Sequence, residues 1–180
     1  MQKKYELTNE IIISEDGTKL HRIKALIDCC YAKSGDLGGY IESENNLSQV
    51  GNAWVFDNAR VYGEARVYDE ARVYGNAQIY GDARIRDRAL VRDNAKVYGD
   101  VEIGDNAKIR SEFDYATIKG FGRHCRTSTF FRCKDGLTRV VCGCFYGTID
   151  EFRTQVKNTR IGKIADEYLM IADLMEQHFK

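Results

Sequence analysis

Residues 51–110 read GNAWVF, DNARVY, GEARVY, DEARVY, GNAQIY, GDARIR, DRALVR, DNAKVY, GDVEIG and DNAKIR, ten six-residue units in unbroken register. A fixed period this short specifies a coiled β-solenoid in which each turn stacks on the last. Within each unit a small residue and an aliphatic one lie two apart, so both point the same way along a short strand. The inward set runs from Ala53 and Val55 to Ala107 and Ile109, with Val101 as the only departure from alanine. Each buried Val or Ile contributes roughly 1.5–3 kcal/mol. The first two positions of each unit are Gly or Asp followed by Asn, Glu, Asp or Arg. Such residues suit corners, because Gly, Asn and Asp tolerate the left-handed backbone that tight corners need.

Working outward, Glu10–Ser14 and Lys19–Leu26 flank Glu15-Asp16-Gly17, which reads as a hairpin. Residues 28–50 are turn-rich and irregular. The register slips after Arg110, and Ala116 and Ile118 restart the pattern, so a last partial coil is expected near residues 114–120. Residues 127–133 and 137–142 flank Lys134-Asp135-Gly136 as a second hairpin. Thr148 to Glu151 is a capping-box signature that opens a helix to about Lys157. After a break at Arg160–Gly162, Ile164, Tyr168, Ile171, Leu174, Met175 and Phe179 fall at helical spacing over Lys163–His178. The expected organisation is an N-terminal hairpin and irregular cap (1–48), a β-helix (49–120), a hairpin (121–147) and C-terminal helices (148–180).

The unit of a small residue, an aliphatic two later and a Gly/Asp-Asn corner resembles the hexapeptide repeat of left-handed parallel β-helices. That resemblance implies three units per coil and a left-handed wind. It also implies acyl- or acetyltransferase chemistry, with a catalytic histidine and coenzyme A as cofactor. The chain has three histidines, His21, His124 and His178, and none lies in the ten units. His124, beside Cys125, is the one candidate general base, and the family's catalytic histidine has no matching position. The stretch GDLGGYIESENNLS at 35–48, the NARVYG-type units and CGCFYGT at 142–148 resemble uncharacterised hexapeptide proteins of phages, prophages and gut bacteria. What this resemblance implies is a phage or mobile-element accessory protein that binds and blocks a host target, such as CRISPR-Cas immunity.

The 180 residues hold 27 Lys plus Arg against 27 Asp plus Glu and no proline. Zero net charge gives no global pull toward nucleic acid or membrane. No apolar run reaches membrane-spanning length and the N-terminus lacks a signal-peptide stretch, so a cytoplasmic protein is expected, in the host cell if phage-encoded. The six cysteines, Cys29, Cys30, Cys125, Cys133, Cys142 and Cys144, are then expected as thiols. Cys142-Gly-Cys144 with Cys133, Cys125 and His124 has a one-residue spacer, short for a zinc site. No metal is expected.

With eighteen residues per coil, positions i and i+18 stack. One face carries Trp54, Arg72, Leu90 and Lys108 beside Phe56, Tyr74, Arg92 and Arg110. The second carries Arg60, Gln78 and Lys96 beside Tyr62, Tyr80 and Tyr98. The third carries Arg66, Arg84 and Glu102 beside Tyr68, Arg86 and Gly104. Arg and Tyr are enriched at binding hot spots, which makes Arg60, Tyr62, Arg66, Tyr68, Arg72, Tyr74, Tyr80, Arg84, Arg86 and Arg92 candidate partner-binding residues. The plain alternative is that Arg and Tyr simply suit a pleated surface. Residues 51–110 contain ten bases and ten acids, which disfavours nucleic acid as the partner. Tyr168, Leu169, Met170, Ile171, Leu174, Met175 and Phe179 leave apolar surface beyond one helical stripe and are candidates for self-association as a dimer or trimer. The expectation is a non-enzymatic binder of a protein target without a cofactor. The alternatives are an acetyltransferase-like enzyme using coenzyme A and an oligomeric small-molecule sponge.

Overall fold

The computed structural model describes residues 2–180, which divide into two compact units, one ending at Glu112 and one running from Phe113 to Lys180.

The first unit is a β-solenoid of stacked parallel coils. It opens with β1 (Tyr5–Ile13), β2 (Lys19–Ala25) and β3 (Leu37–Ile41). The coils follow as β4 (Trp54–Val55), β5 (Arg60–Val61), β6 (Arg66–Val67), β7 (Arg72–Val73), β8 (Gln78–Tyr80), β9 (Arg84–Ile85), β10 (Leu90–Val91), β11 (Lys96–Tyr98), β12 (Glu102–Ile103) and β13 (Lys108–Ile109). Every third strand pairs in parallel. The three sheets are β4-β7-β10-β13, β6-β9-β12 and β5-β8-β11, the last continued by β3, β2 and β1. Trp54 pairs with Arg72, Arg60 with Gln78 and Arg66 with Arg84, the register expected from the repeat. The inward Ala, Val and Ile set is buried throughout.

The corners explain the Gly/Asp alternation. The first residue of all ten units is left-handed, with φ from 50° at Asp105 to 79° at Gly99. Other L-residues pay roughly 1–2 kcal/mol for that conformation. Aspartate adds a bond that glycine cannot make. The amide of Gly75 donates to Asp57 Oδ2 at 3.0 Å, and the amide of Asp105 to Asp87 Oδ2 at 2.9 Å, each one coil away.

Hydrogen bonding gives the solenoid two chemically different ends. Amides at even unit positions donate to carbonyls one coil later, as Trp54 N does to Ala71 O and Tyr62 N to Ile79 O. Carbonyls of the first coil therefore face the N-terminal end with no coil to pair with, and the N-terminal segment supplies the donors. Tyr40 N bonds Ala59 O, Glu42 N bonds Val61 O and Ser48 N bonds Val67 O. Buried Lys4 places Nζ 2.9 Å from Ala53 O, and buried Asn46 bonds Gly63 O and Ala65 O. Residues 28–50 are thus more ordered than their composition implies. Tyr40 pairs with Arg60 and Leu47 with Val67, a spacing of 20 where the repeats have 18. That offset hides the first pairing from a six-residue reading. Gly39 is required here by proximity, since a Cβ would lie 2.6 Å from Ala59 O.

The second unit is an antiparallel sheet with two helices. The expected partial coil near 114–120 is replaced by β14 (Tyr115–Phe121), which pairs antiparallel with β15 (Arg126–Arg132). Ala116 and Ile118 do alternate as in the coils, but no corner residue interrupts them until Gly120. The hairpin expected next is β15 with β16 (Thr138–Cys142), and β17 (Phe145–Thr148) completes the sheet. Helix α1 (Ile149–Thr159) begins with the reciprocal Thr148–Glu151 box, and α2 spans Lys163–His178. Arg153 ties the helices together through Asp150, Asp173 and Glu176. Phe130, Val140, Phe152, Tyr168, Ile171 and Met175 form the core.

Candidate docking face on the coils

The three outward faces differ in what covers them. On the β5-β8-β11 face, Tyr62, Tyr80 and Tyr98 stack with centroids 5.2 Å apart at each step. The β1–β2 hairpin covers the start of this column: Leu20 and Ile12 pack with Tyr40, Tyr62 and Tyr80. Tyr62 is buried, which removes it from the docking set, and its burial pushes its hydroxyl up to about 12. Lys96 reaches Glu15 of the hairpin turn at 3.7 Å. Arg60 is half-buried in the same column.

On the β4-β7-β10-β13 face, Trp54 is buried rather than displayed, with Tyr5 edge-on against it at 6.2 Å. Next to it, Arg72 lies 4.9 Å over the Tyr31 ring, and Tyr74 stacks on Phe56 at 4.1 Å. Arg92 Nε sits 3.6 Å from Asp93. These groups have neighbours within the chain, although Nε of Arg72 and of Arg92 is buried without a hydrogen-bond partner among the described residues.

The β6-β9-β12 face is different. Arg66 and Arg84 are exposed and directly paired in register. Among the described residues neither has an ion-pair partner. Like charges placed opposite each other on a sheet are destabilising, and on its other side Arg84 lies opposite Glu102. One residue along the strand from Ile85, Arg86 is tied to Glu102 at 2.6 Å and Asp87 at 2.5 Å, so its charge is spent internally. Tyr68 is half-buried beside them, and burial raises its hydroxyl pKa. A cleft of about 450 Å³ opens here, bounded by Arg66, Arg84, Tyr68 and the cap residues Glu44, Asn45 and Ser48. Of the ten candidate docking residues, the structure therefore gathers Arg66, Arg84 and Tyr68 into one open site.

The other candidates fall in the second unit. Of the seven proposed for self-association, Tyr168, Ile171, Met175 and Phe179 are buried in its core and Leu169 packs against it. Helix α2 shows one face to the sheet and α1, which is where its apolar excess goes. Met170 and Leu174, one turn apart, remain exposed. His124 is exposed, and among the described residues no hydrogen bond orients its ring. Among the described residues no cysteine is in a disulfide, and no group of three or more His, Cys, Asp or Glu is placed to hold a metal. No helix among the described residues is long and apolar enough to cross a membrane. Arg123, Arg126 and Arg160, which line a cavity with His124, escaped the sequence reading. For Arg123 and Arg126 the signal was the absence of any acid between Asp114 and Asp135.

No family model matches the chain, and no curated protein matches it.

Proposed function

We propose that this protein is a non-enzymatic binding protein whose β6-β9-β12 face docks an acidic surface of a macromolecular partner. The carrying observation is the Arg66–Arg84 pair, two exposed guanidiniums in register, neither of them in an ion pair among the described residues. An acidic partner relieves their repulsion and gains two charge-assisted contacts at once. Tyr68 and the adjoining cleft supply the apolar and shape components that docking sites combine with charge. A protein partner suits this face better than nucleic acid, because the coil carries as many acids as bases. The resemblance of the repeats and of residues 35–48 to phage and prophage hexapeptide proteins supports the further reading of a left-handed β-helix that inhibits a host defence system. Any self-association through α2 would have to use Met170 and Leu174, since most of the remaining apolar residues are buried.

The test is affinity capture with the full chain from a bacterial lysate expressing defence systems, beside the Arg66→Glu and Arg84→Glu variants. The expected result is one stoichiometric partner that both variants lose. Recovery of no partner, or equal recovery by wild type and both variants, would overturn the reading.

A further inference from the structure

The second unit contains a cavity of about 340 Å³ that the docking face does not use. Its polar lining is one-sided. Arg123, Arg126 and Arg160 border it, and no aspartate or glutamate does. The unit's other three arginines are all matched: Arg132 with Asp114, Arg139 with Asp135, and Arg153 with three carboxylates. The three at the cavity have no ion-pair partner among the described residues, and the Arg160 guanidinium donates to the Thr159 carbonyl. Unmatched guanidiniums are thus collected at one place in a unit that pairs its others.

The rest of the wall is aromatic. Phe145 meets Phe152 at 5.3 Å, and Phe152 meets Tyr168 edge-on at 5.7 Å. Tyr168 donates its hydroxyl to the Phe121 carbonyl at 3.3 Å, which leaves its ring for apolar contact. At Gly143, left-handed with φ 62°, any Cβ would collide with the Arg126 guanidinium, so the glycine leaves that arginine its place.

We propose that this cavity binds a small phosphorylated molecule with an aromatic body. Three guanidiniums suit a group carrying more than one negative charge, and their planar forks match phosphate oxygens. The aromatic floor accounts for the other half of the ligand, and the volume lies at the lower end of small-molecule pockets. This site rests on the second unit alone and stands or falls apart from the coil face.

The test is calorimetric titration of the full chain with 1-naphthyl phosphate and adenosine monophosphate, beside 1-naphthol, adenosine and inorganic phosphate. At least one aryl phosphate should bind about tenfold more tightly than either of its parts. Arg126→Gln and Arg160→Gln should each weaken it about tenfold, the loss of one charge-assisted contact, with unchanged melting curves. The bound ligand should also slow alkylation of Cys144, an exposed lining thiol, without slowing that of Cys30. If one variant fails to fold, the other variant and the Cys144 protection still decide. Equal binding of phosphate alone, equal binding of the uncharged aryl compound, or no binding of either aryl phosphate at millimolar concentration would overturn the proposal.

Discussion

Asn46 Nδ2 lies 2.9 Å from the carbonyl oxygen of Ala65, and the same nitrogen lies 2.9 Å from that of Gly63. One buried amide therefore satisfies two carbonyls that the first coil would otherwise leave facing nothing. Asn46→Ala strands both, at about 1–3 kcal/mol for each buried unsatisfied group. Urea denaturation should show a loss of at least about 2 kcal/mol. Asn46→Asp should be worse, since it presents acceptors to acceptors.

Lys4 closes a neighbouring part of the same edge, and its burial gives stability a specific pH dependence. Desolvation lowers its pKa from 10.5 to about 8. Between those values the unfolded chain holds a proton that the folded chain has released. Stability therefore rises with pH from about 8, and this gain is lost again as pH falls back through 8. Burial raises the pKa of Tyr5 and Tyr62, so the unfolded state loses their protons first and stability falls above about 10. A maximum between pH 8 and 10 is expected in urea midpoints. Lys4→Met should remove the rise, of about 2 kcal/mol, and keep the fall.

The corner aspartates combine backbone tolerance with a bond to the next coil. Asp57→Ala loses both and should cost about 2 kcal/mol. Asp57→Gly keeps the left-handed backbone and should cost less than half as much. Equal losses for the two variants would show that the carboxylate alone matters.

Arg66 should show stability and binding moving in opposite directions. Arg84→Glu would set a carboxylate opposite Glu102, but Arg66→Glu turns the repulsive cross-strand pair with Arg84 into an attractive one, worth about 0.2–1 kcal/mol. The Arg66→Glu variant should melt slightly higher than wild type while losing its partner. Arg86→Gln, which breaks the links to Asp87 and Glu102, should instead lower the melting temperature.

The tyrosine column should grade by burial. Tyr62→Ala opens a void under the hairpin and should cost about 3 kcal/mol. Tyr98→Ala, at the exposed end, should cost under about 1 kcal/mol. Thermal melts of the two variants check the order.

Much of the solenoid was legible because its rule is local. The Ala and Val/Ile period placed every inward residue, and the i+18 stacking placed Arg66 over Arg84. The limits of α2 followed from its apolar spacing and the glycine before it. What stayed hidden depended on distant segments. The sequence offers no sign that Tyr5 covers Trp54 or that Leu20 covers Tyr62, because both coverings depend on where a hairpin folds back. Nor could it tell which arginines are matched: acids recur at almost every corner, and only geometry separates Arg86, tied to Glu102, from Arg84. The cavity draws Arg123 and Arg126 from one turn and Arg160 from the break between two helices, so no single window contained it.

Each coil bonds only to its immediate neighbours through a register of 18 residues. The rod is therefore a ruler graduated in whole coils. Removing residues 75–92 would join Tyr74 to Asp93, the last residue of one unit to the first of another, and return every later residue to an equivalent column. Length in this protein can change by one graduation without disturbing the structure at the start of the rod, whereas a change that is not a multiple of six residues would turn the inward alanines out of line.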